Sequence, residues 1–252
     1  MLAFVGPLFP NYKPLDTATA LLEEPSDTHP FGTDELGRDI LSRVVAALRL
    51  DLFIALVAVS AAAVIGTTVG AMSGYIGGRV DDVVMRMIDI IMTFPLLLLA
   101  MGLVAFLGAG LRNLIVAMVV VNIPIFARLV RGDILARKQL EYVAAAQCSG
   151  CSGLRILARH LLPNAAGPLI VQASLALAWA VLNAAALSFL GLGVRPPAPE
   201  LGLMVAEGAN YLSTGAWWVS VYPGAVIVVI VFGFNLVGDG LQERLDPRRE
   251  AV

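Results

Sequence analysis

Cys148 and Cys151 are the only cysteines of the chain, and they stand as Cys-x-x-Cys in EYVAAAQCSGCSGLRILARHLLPN, residues 141–164. That spacing suits a redox dithiol or half of a tetrahedral zinc site. A dithiol needs a thioredoxin-like setting, and zinc needs two more ligands nearby. His160 supplies one only if the segment folds back on itself, so the two thiols read as incidental and no metal site is expected. Catalysis is equally unsupported. The two histidines, His29 and His160, fall on opposite sides of the topology derived below, with no serine or acid arranged around either. A phosphate-binding loop places Lys after Gly, but Lys13 follows Tyr12 and Lys138 follows Arg137. No catalytic residue and no cofactor of its own is assigned to this chain.

The elements that must position these residues are membrane helices. Hydrophobic residues make up 58% and charged residues 14% of the chain, and the mean hydropathy is +0.83. Soluble chains carry roughly 25% charged residues, and a water-exposed surface could not be covered with so few. A span needs about 20 mostly apolar residues. The sequence offers five: 52–78, 90–111, 113–127, 161–194 and 208–238, the last with its helix starting near Val219. The third is short, with Arg112 and Arg128 snorkelling at its ends. Pro95 and Pro124 fall inside spans. Residues 1–9 are apolar but too short to cross, and read as the remnant of a first transmembrane helix. Residues 10–50 then form an extracytoplasmic segment with an amphipathic helix, and 51–252 the transmembrane domain.

Basic residues favour the cytoplasmic side. Placing 128–165 inside puts Arg128, Arg131, Arg137, Lys138, Arg155 and Arg159 there, together with Arg79, Arg86, Arg244, Arg248 and Arg249. The span centres carry no ionisable relay of the kind a proton-driven transporter needs. Their polar side chains are mostly helix-packing hydrogen bonders. Asn122, Gln172, Ser174, Asn183 and Ser188 are the candidates for lining a path.

Within the cytoplasmic loop at about 133–165, Glu141 opens a short helix of small residues that ends at Gly150. Ser152 caps a second, which Pro163 ends. A surface of Ala144, Ala145 and Ala146 lets another protein's backbone come close, so the loop is a docking surface rather than a reaction centre.

Here the sequence resembles a family. Permease subunits of bacterial ABC importers carry Glu-Ala-Ala, three residues, Gly, nine residues, then Ile-x-Leu-Pro. This chain has Ala144-Ala145-Ala146, Gly150 and His160-x-Leu162-Pro163 at that spacing, with Ala144 for the Glu and His160 for the Ile. HPFGTDELGRDILSRVV at 29–45, LSFLGLGVRPPAPELGLMVAEGANYL at 187–212 and FNLVGDGLQERLDPR at 234–248 are similar to the dipeptide, oligopeptide and nickel importer permeases, the second of two unlike subunits. Relatives often carry Glu near the position of Ala184.

The resemblance implies an all-α type I ABC importer transmembrane domain, with five full spans plus a truncated first helix where the family has six. It implies coupling to the ATPase through Glu141, Ala144, Ala145, Ala146, Gly150, Leu162 and Pro163. The implied partners are a second homologous permease, two ATP-binding cassette subunits that bind the ATP and Mg, an extracytoplasmic substrate-binding protein and membrane lipids, with no nucleic acid. Short peptides are the expected cargo, with nickel chelates, glutathione or another small solute as alternatives. A channel or membrane scaffold without ATP coupling is the alternative of another class.

Four smaller readings complete the sequence. Asp34, Glu35 and Gly37-Arg38-Asp39 either meet a solute-binding protein or pair within an amphipathic surface helix. Asp81 and Asp82, with Arg79 and Arg86, read as a solvated turn. Trp217, Trp218 and Tyr222 read as an interfacial anchor, and GAMSGYIGG at 70–78 as a close helix contact.

Overall fold

A computed structural model describes residues 13–17 and 20–245. The proposed helix remnant at 1–9 and the basic pair Arg248 and Arg249 lie outside the described residues. The helices are α1 Ile40–Ile76, α2 Gly78–Met92, α3 Leu96–Leu107, α4 Leu111–Arg137, α5 Glu141–Cys148, α6 Gly153–Ile156, α7 Ala166–Phe189, α8 Leu201–Ala209 and α9 Trp218–Leu245. Among the described residues there is no strand, only the isolated bridges Thr17–Arg38 and Thr33–Asp39.

Four helical stretches are long and apolar enough to cross a membrane: Ile40–Ile76, Leu111–Arg137, Gly153–Phe189 and Trp218–Leu245. The span expected at 90–111 is not one straight helix. It is the second limb of a pair, α2 and α3, bent by 89°, and counting the pair as one span brings the total to five. Pro95 sits at the break rather than inside a helix. Its missing N–H and the restriction it places on the preceding residue stop the helix there.

α1 starts at Ile40, not at 52, and so carries Arg43, Arg49 and Asp51. Asp39 fixes that start: its Oδ2 accepts from Ser42 N at 2.7 Å. Asp34, Glu35 and Arg38 pair with one another, in a segment of turns and bridges that precedes α1. Pro163 does not end its helix. Leu157–Leu161 form a π turn and Pro163–Ala165 a 3-10 turn that leads into α7. Pro163 sits at the first position of that turn, where a missing N–H is harmless. Asn164 Nδ2 supplies the bond to His160 O at 2.6 Å.

The chain forms two compact units. The first comprises the described residues up to 57, Ala100–Met118 and Ala178–Gly233. Its core is Ile40, Val44, Ala47, Leu201, Met204, Ala216, Trp218 and Val219. Trp218 is thus a core residue that donates from Nε1 to Thr33 O at 3.3 Å, while Trp217 is the exposed member of the aromatic group. Phe31 stacks on Tyr222 with centroids 4.2 Å apart. Gly32 is required twice over: its φ is +74°, and a Cβ would lie 2.7 Å from the Trp218 ring.

The second unit comprises Ala58–Leu99, Val119–Leu177 and the described residues from Phe234 on. Here Gly66, Gly70 and Gly74 of α1 let its backbone ride on that of α4. A Cβ at these positions would lie 2.7 Å from Ile123 O, 2.1 Å from Ala127 O and 3.1 Å from Arg131 O respectively. Glycines at intervals of four give one smooth helix face.

Asp81 is buried in the first turn of α2, not solvated. Ser73 Oγ donates to Asp81 Oδ1 at 2.6 Å, and Arg131 donates from Nε and Nη2 to its two oxygens at 2.6 Å each. Asp82 remains exposed. Removing the carboxylate leaves Arg131 without its fork, so Asp81→Ala is expected to destabilise the protein by about 1–3 kcal/mol. A thermal melt of the purified complex measures it, and Asp81→Glu should recover part of the loss.

Candidate coupling surface and polar groups of the spans

α5 is seated by one side chain. Val143 is buried in a cluster with Ala71 of α1, Val130 and Ile134 of α4, and Ile156, Leu157 and Leu161 on the way into α7. α5 therefore rests on α1, α4 and the turns that lead into α7. Tyr142, Ala144, Ala145, Gln147 and Cys148 face outward, Glu141 and Gly150 are exposed, and Ala146 is half-buried. Glu141 in the first turn suits the positive end of the helix.

The end of α5 is a Schellman motif: Gly150 N donates to Gln147 O at 2.9 Å and Cys151 N to Ala146 O at 3.1 Å. Gly150 has φ +78°, and a Cβ there would meet nothing within 4 Å. Its glycine is needed for backbone conformation, not for space inside the chain. Ser152 occupies the N-cap position of α6 without making a side-chain capping bond. Leu162 packs on the Val143 cluster and Pro163 is exposed. The seven residues expected to couple thus belong to one unit, with Leu162 beneath the surface and the others on or at its edge.

Two basic groups brace this surface. Lys138 Nζ donates to Gly74 O at 2.9 Å, and Arg137 Nε to Asp133 Oδ2 at 2.6 Å. The lysine ammonium sits where the carbonyls at the end of α1 need donors. Cys148 is exposed and Cys151 half-buried, both as free thiols. Among the described residues no group of three or more His, Cys, Asp or Glu side chains is placed to hold a metal ion.

The five polar candidates for a path are divided between the two units. Asn183 and Ser188 belong to the first unit; Asn122, Gln172 and Ser174 belong to the second. Ser174 Oγ donates to Ile170 O at 3.1 Å and Asn183 Nδ2 to Trp179 O at 2.8 Å, each within its own helix. Asn122 is buried. Gln172 lines an open cleft of about 440 Å³ with Leu129, Val171, Leu175 and Gln242 among its walls.

Two charged constellations join segments distant in sequence, the first of them built around the Asp34–Arg38 pair. In the first, Arg38 Nε meets Asp34 Oδ2 at 2.6 Å, Arg43 meets Glu207 at 3.3 Å, and Arg43 also approaches Asp34 at 3.5 Å. Burial raises the Glu207 carboxyl above its ordinary range, with Arg43 opposing. In the second, Asp51 Oδ2 accepts from Leu201 N at 3.1 Å beside Glu200, which caps α8. Partners this far apart in sequence leave no periodic trace.

Residues 66–251 match the family of binding-protein-dependent transport system inner membrane components. The chain belongs to this family. This permease is 41% identical, over all 252 residues and 83% of the relative, to the dipeptide transport system permease protein DppC of Alkalihalophilus pseudofirmus. It is 46% identical, over 91% of the chain and 77% of the relative, to the probable D,D-dipeptide transport system permease protein DdpC of Escherichia coli. The glutathione transport system permease protein GsiD of Pectobacterium atrosepticum is 42% identical over 90% of the chain and 75% of the relative. Among solved structures, the permease resembles a chain of the inward-facing MetNI methionine ABC transporter. The TM-score is 0.63 at 22% identity, covering 81% of this chain and 96% of that one. The fold is that of a type I ABC importer transmembrane domain, and the permease is a multi-pass protein of the bacterial inner membrane.

Cys148 makes the surface testable without a substitution. With α5 facing the cytoplasm, a membrane-impermeant maleimide is expected to label Cys148 in inside-out vesicles and not in sealed right-side-out cells. Equal labelling from both sides would contradict the orientation.

Proposed function

We propose that this permease forms half of the translocation path of an ATP-driven importer of short peptides, and that residues 141–163 are the surface its ATPase partner grips. The full-length likeness to a dipeptide permease, 41% identical over 252 residues, carries the substrate class. A glutathione permease among the relatives supports the broader class of small peptides. Residues 10–50 form the extracytoplasmic segment and 51–252 the transmembrane domain.

The chain supplies binding and movement, and hydrolysis of ATP with its Mg belongs to two ATP-binding cassette partners. A second homologous permease completes the path, and an extracytoplasmic binding protein delivers the cargo. Closure of the ATPases moves α5. Because Val143 is packed against α1, α4 and the start of α7, a displacement of α5 is delivered to all three. Small exposed Ala144 and Ala145 allow the partner's backbone to approach, which favours a tight mechanical joint over a loose charge contact.

The experiment is reconstitution in liposomes with the cognate partners and uptake of labelled di- and tripeptides. ATP-dependent accumulation is expected. Uptake of nickel chelates in place of peptides, or uptake independent of ATP, would overturn the reading.

A further inference from the structure

Neither the coupling surface nor the polar residues of the spans account for Asp51 and Glu200. Asp51 is 2% exposed and Glu200 0% exposed. The N–H groups of Leu201, Gly202 and Leu203, the first turn of α8, take three of their four carboxyl oxygens: Asp51 Oδ2 at 3.1 Å, Glu200 Oε1 at 3.1 Å and Glu200 Oε2 at 2.7 Å. The fourth, Asp51 Oδ1, has no hydrogen-bond partner, and neither has the buried Ser188 Oγ. Because both carboxyls accept from N–H groups of one helical turn, the two are immediate neighbours. Two carboxylates cannot bond, because neither has a hydrogen to donate.

The surroundings supply no second positive charge. Among the described residues no ion pair joins either carboxyl to a basic side chain. On the elements packed here, Arg43 of α1 is held by Asp34 and by Glu207 of α8, and Arg49 and Arg195 are exposed. The three N–H groups are the positive end of one helix, equivalent to roughly half an elementary charge, and cannot offset two buried negative charges. Burial pushes the Glu200 carboxyl up, against the pull of the Leu203 and Gly202 N–H groups. A metal ion is a poorer occupant. Only one carboxyl oxygen and one hydroxyl remain unused, whereas hard cations take about six or more oxygens.

We propose that Asp51 and Glu200 hold one proton between them, so that the permease contains a buried proton-binding site joining α1 to α8. The proton sits on Asp51 Oδ1, which turns the unpartnered acceptor into a donor to the Glu200 carboxylate. A proton held in the folded state and absent from the unfolded chain makes stability pH-dependent. That stability is complete below the ordinary carboxylate range, about 4, and is lost as pH rises through the folded-state value of the pair.

Infrared difference spectra of the assembled importer in lipid nanodiscs test this, comparing wild type with Asp51→Asn and Glu200→Gln at about pH 7. A deuterium-sensitive carboxylic acid C=O band is expected in wild type and lost in both variants, since an amide donates in place of the proton. No such band in wild type, or its persistence in the variants, would overturn the proposal. Asp51→Asn copies the neutral form and is expected to assemble; its failure to do so would count against the pair. If Glu200→Gln does not assemble, the Asp51→Asn spectrum decides alone. Melting curves between about pH 6 and about pH 9 give the second readout. Wild type is expected to lose thermal stability with rising pH more steeply than Asp51→Asn. Equal slopes, or a melt that follows sodium concentration instead of pH, would refute the site.

Discussion

Replacing Gly70 by valine is expected to abolish accumulation of folded permease in the membrane. A Cβ at Gly70 would lie 2.1 Å from Ala127 O and 2.8 Å from Ala127 Cα, far inside van der Waals contact. The obstructing atoms are backbone, so no rotamer change relieves the clash and α1 must move away from α4. Overpacking usually costs about 1–3 kcal/mol where side chains can yield; here the cost is at or above about 3 kcal/mol. Separation would also loosen Gly66 against Ile123 and Gly74 against Arg131, and with them the bond from Lys138 to Gly74 O. Membrane levels and a detergent melt measure the effect. Gly102→Val is the control, since a Cβ at Gly102 meets nothing within 4 Å. Equal tolerance of both substitutions would show that the close contact is unimportant.

Ala145→Arg is expected to uncouple the importer, with ATP-dependent uptake reduced at least about tenfold while the permease folds normally. Ala145 is exposed on α5 and its side chain has no partner to lose within the chain, so the folded state tolerates the change. In the assembled importer the guanidinium would stand where a partner's backbone approaches, adding bulk and a charge that must be desolvated. A change of about 1.4 kcal/mol in the docking equilibrium is already tenfold. Uptake and substrate-stimulated hydrolysis are measured on the same reconstituted preparation. Wild-type rates for both would remove α5 from the coupling role. Gly150→Val tests the same surface by another route: a β-branched residue at φ +78° breaks the Schellman turn and should lower uptake and stability together.

The membrane class, the short helix closed by Gly150 and the helix contact near Gly70 were legible because each leaves a local trace: hydropathy, a run of small residues ended by glycine, and glycines at intervals of four. The start of α1 was not. Arg43, Arg49 and Asp51 read as a polar segment, and only the burial of Arg43 and Asp51 against α8 and its neighbours makes a helix of it. The break at Pro95 hid inside an apolar run, since leucines on both sides mask a bend that proline imposes locally. Asp81 looked solvated beside Asp82, yet helical geometry turns the two to different sides, and Arg131 on another helix decides which one is buried. Trp218 was assigned to the membrane interface by residue type, while its place in the core depends on Thr33 and Gly32, far back in the chain. The candidate coupling residues share one short stretch and were readable together. The polar residues of the spans were readable only singly, because composition does not say whether a hydroxyl bonds its own helix.

The π turn at Leu157–Leu161 sets an angular phase. Leu162 N bonds back to Leu157 O at 2.9 Å, five residues away, so this turn contains one residue more than an α-helical turn. Each α-helical residue advances the helix by about 100° and about 1.5 Å. Four α-helical residues turn through about 400° and this π turn uses five for about the same rotation, so the extra residue is taken up where it stands and the α6 side keeps nearly the azimuth of an uninterrupted helix. The azimuth at which a pull arrives is held by the closure of this turn, independently of which side chains fill it.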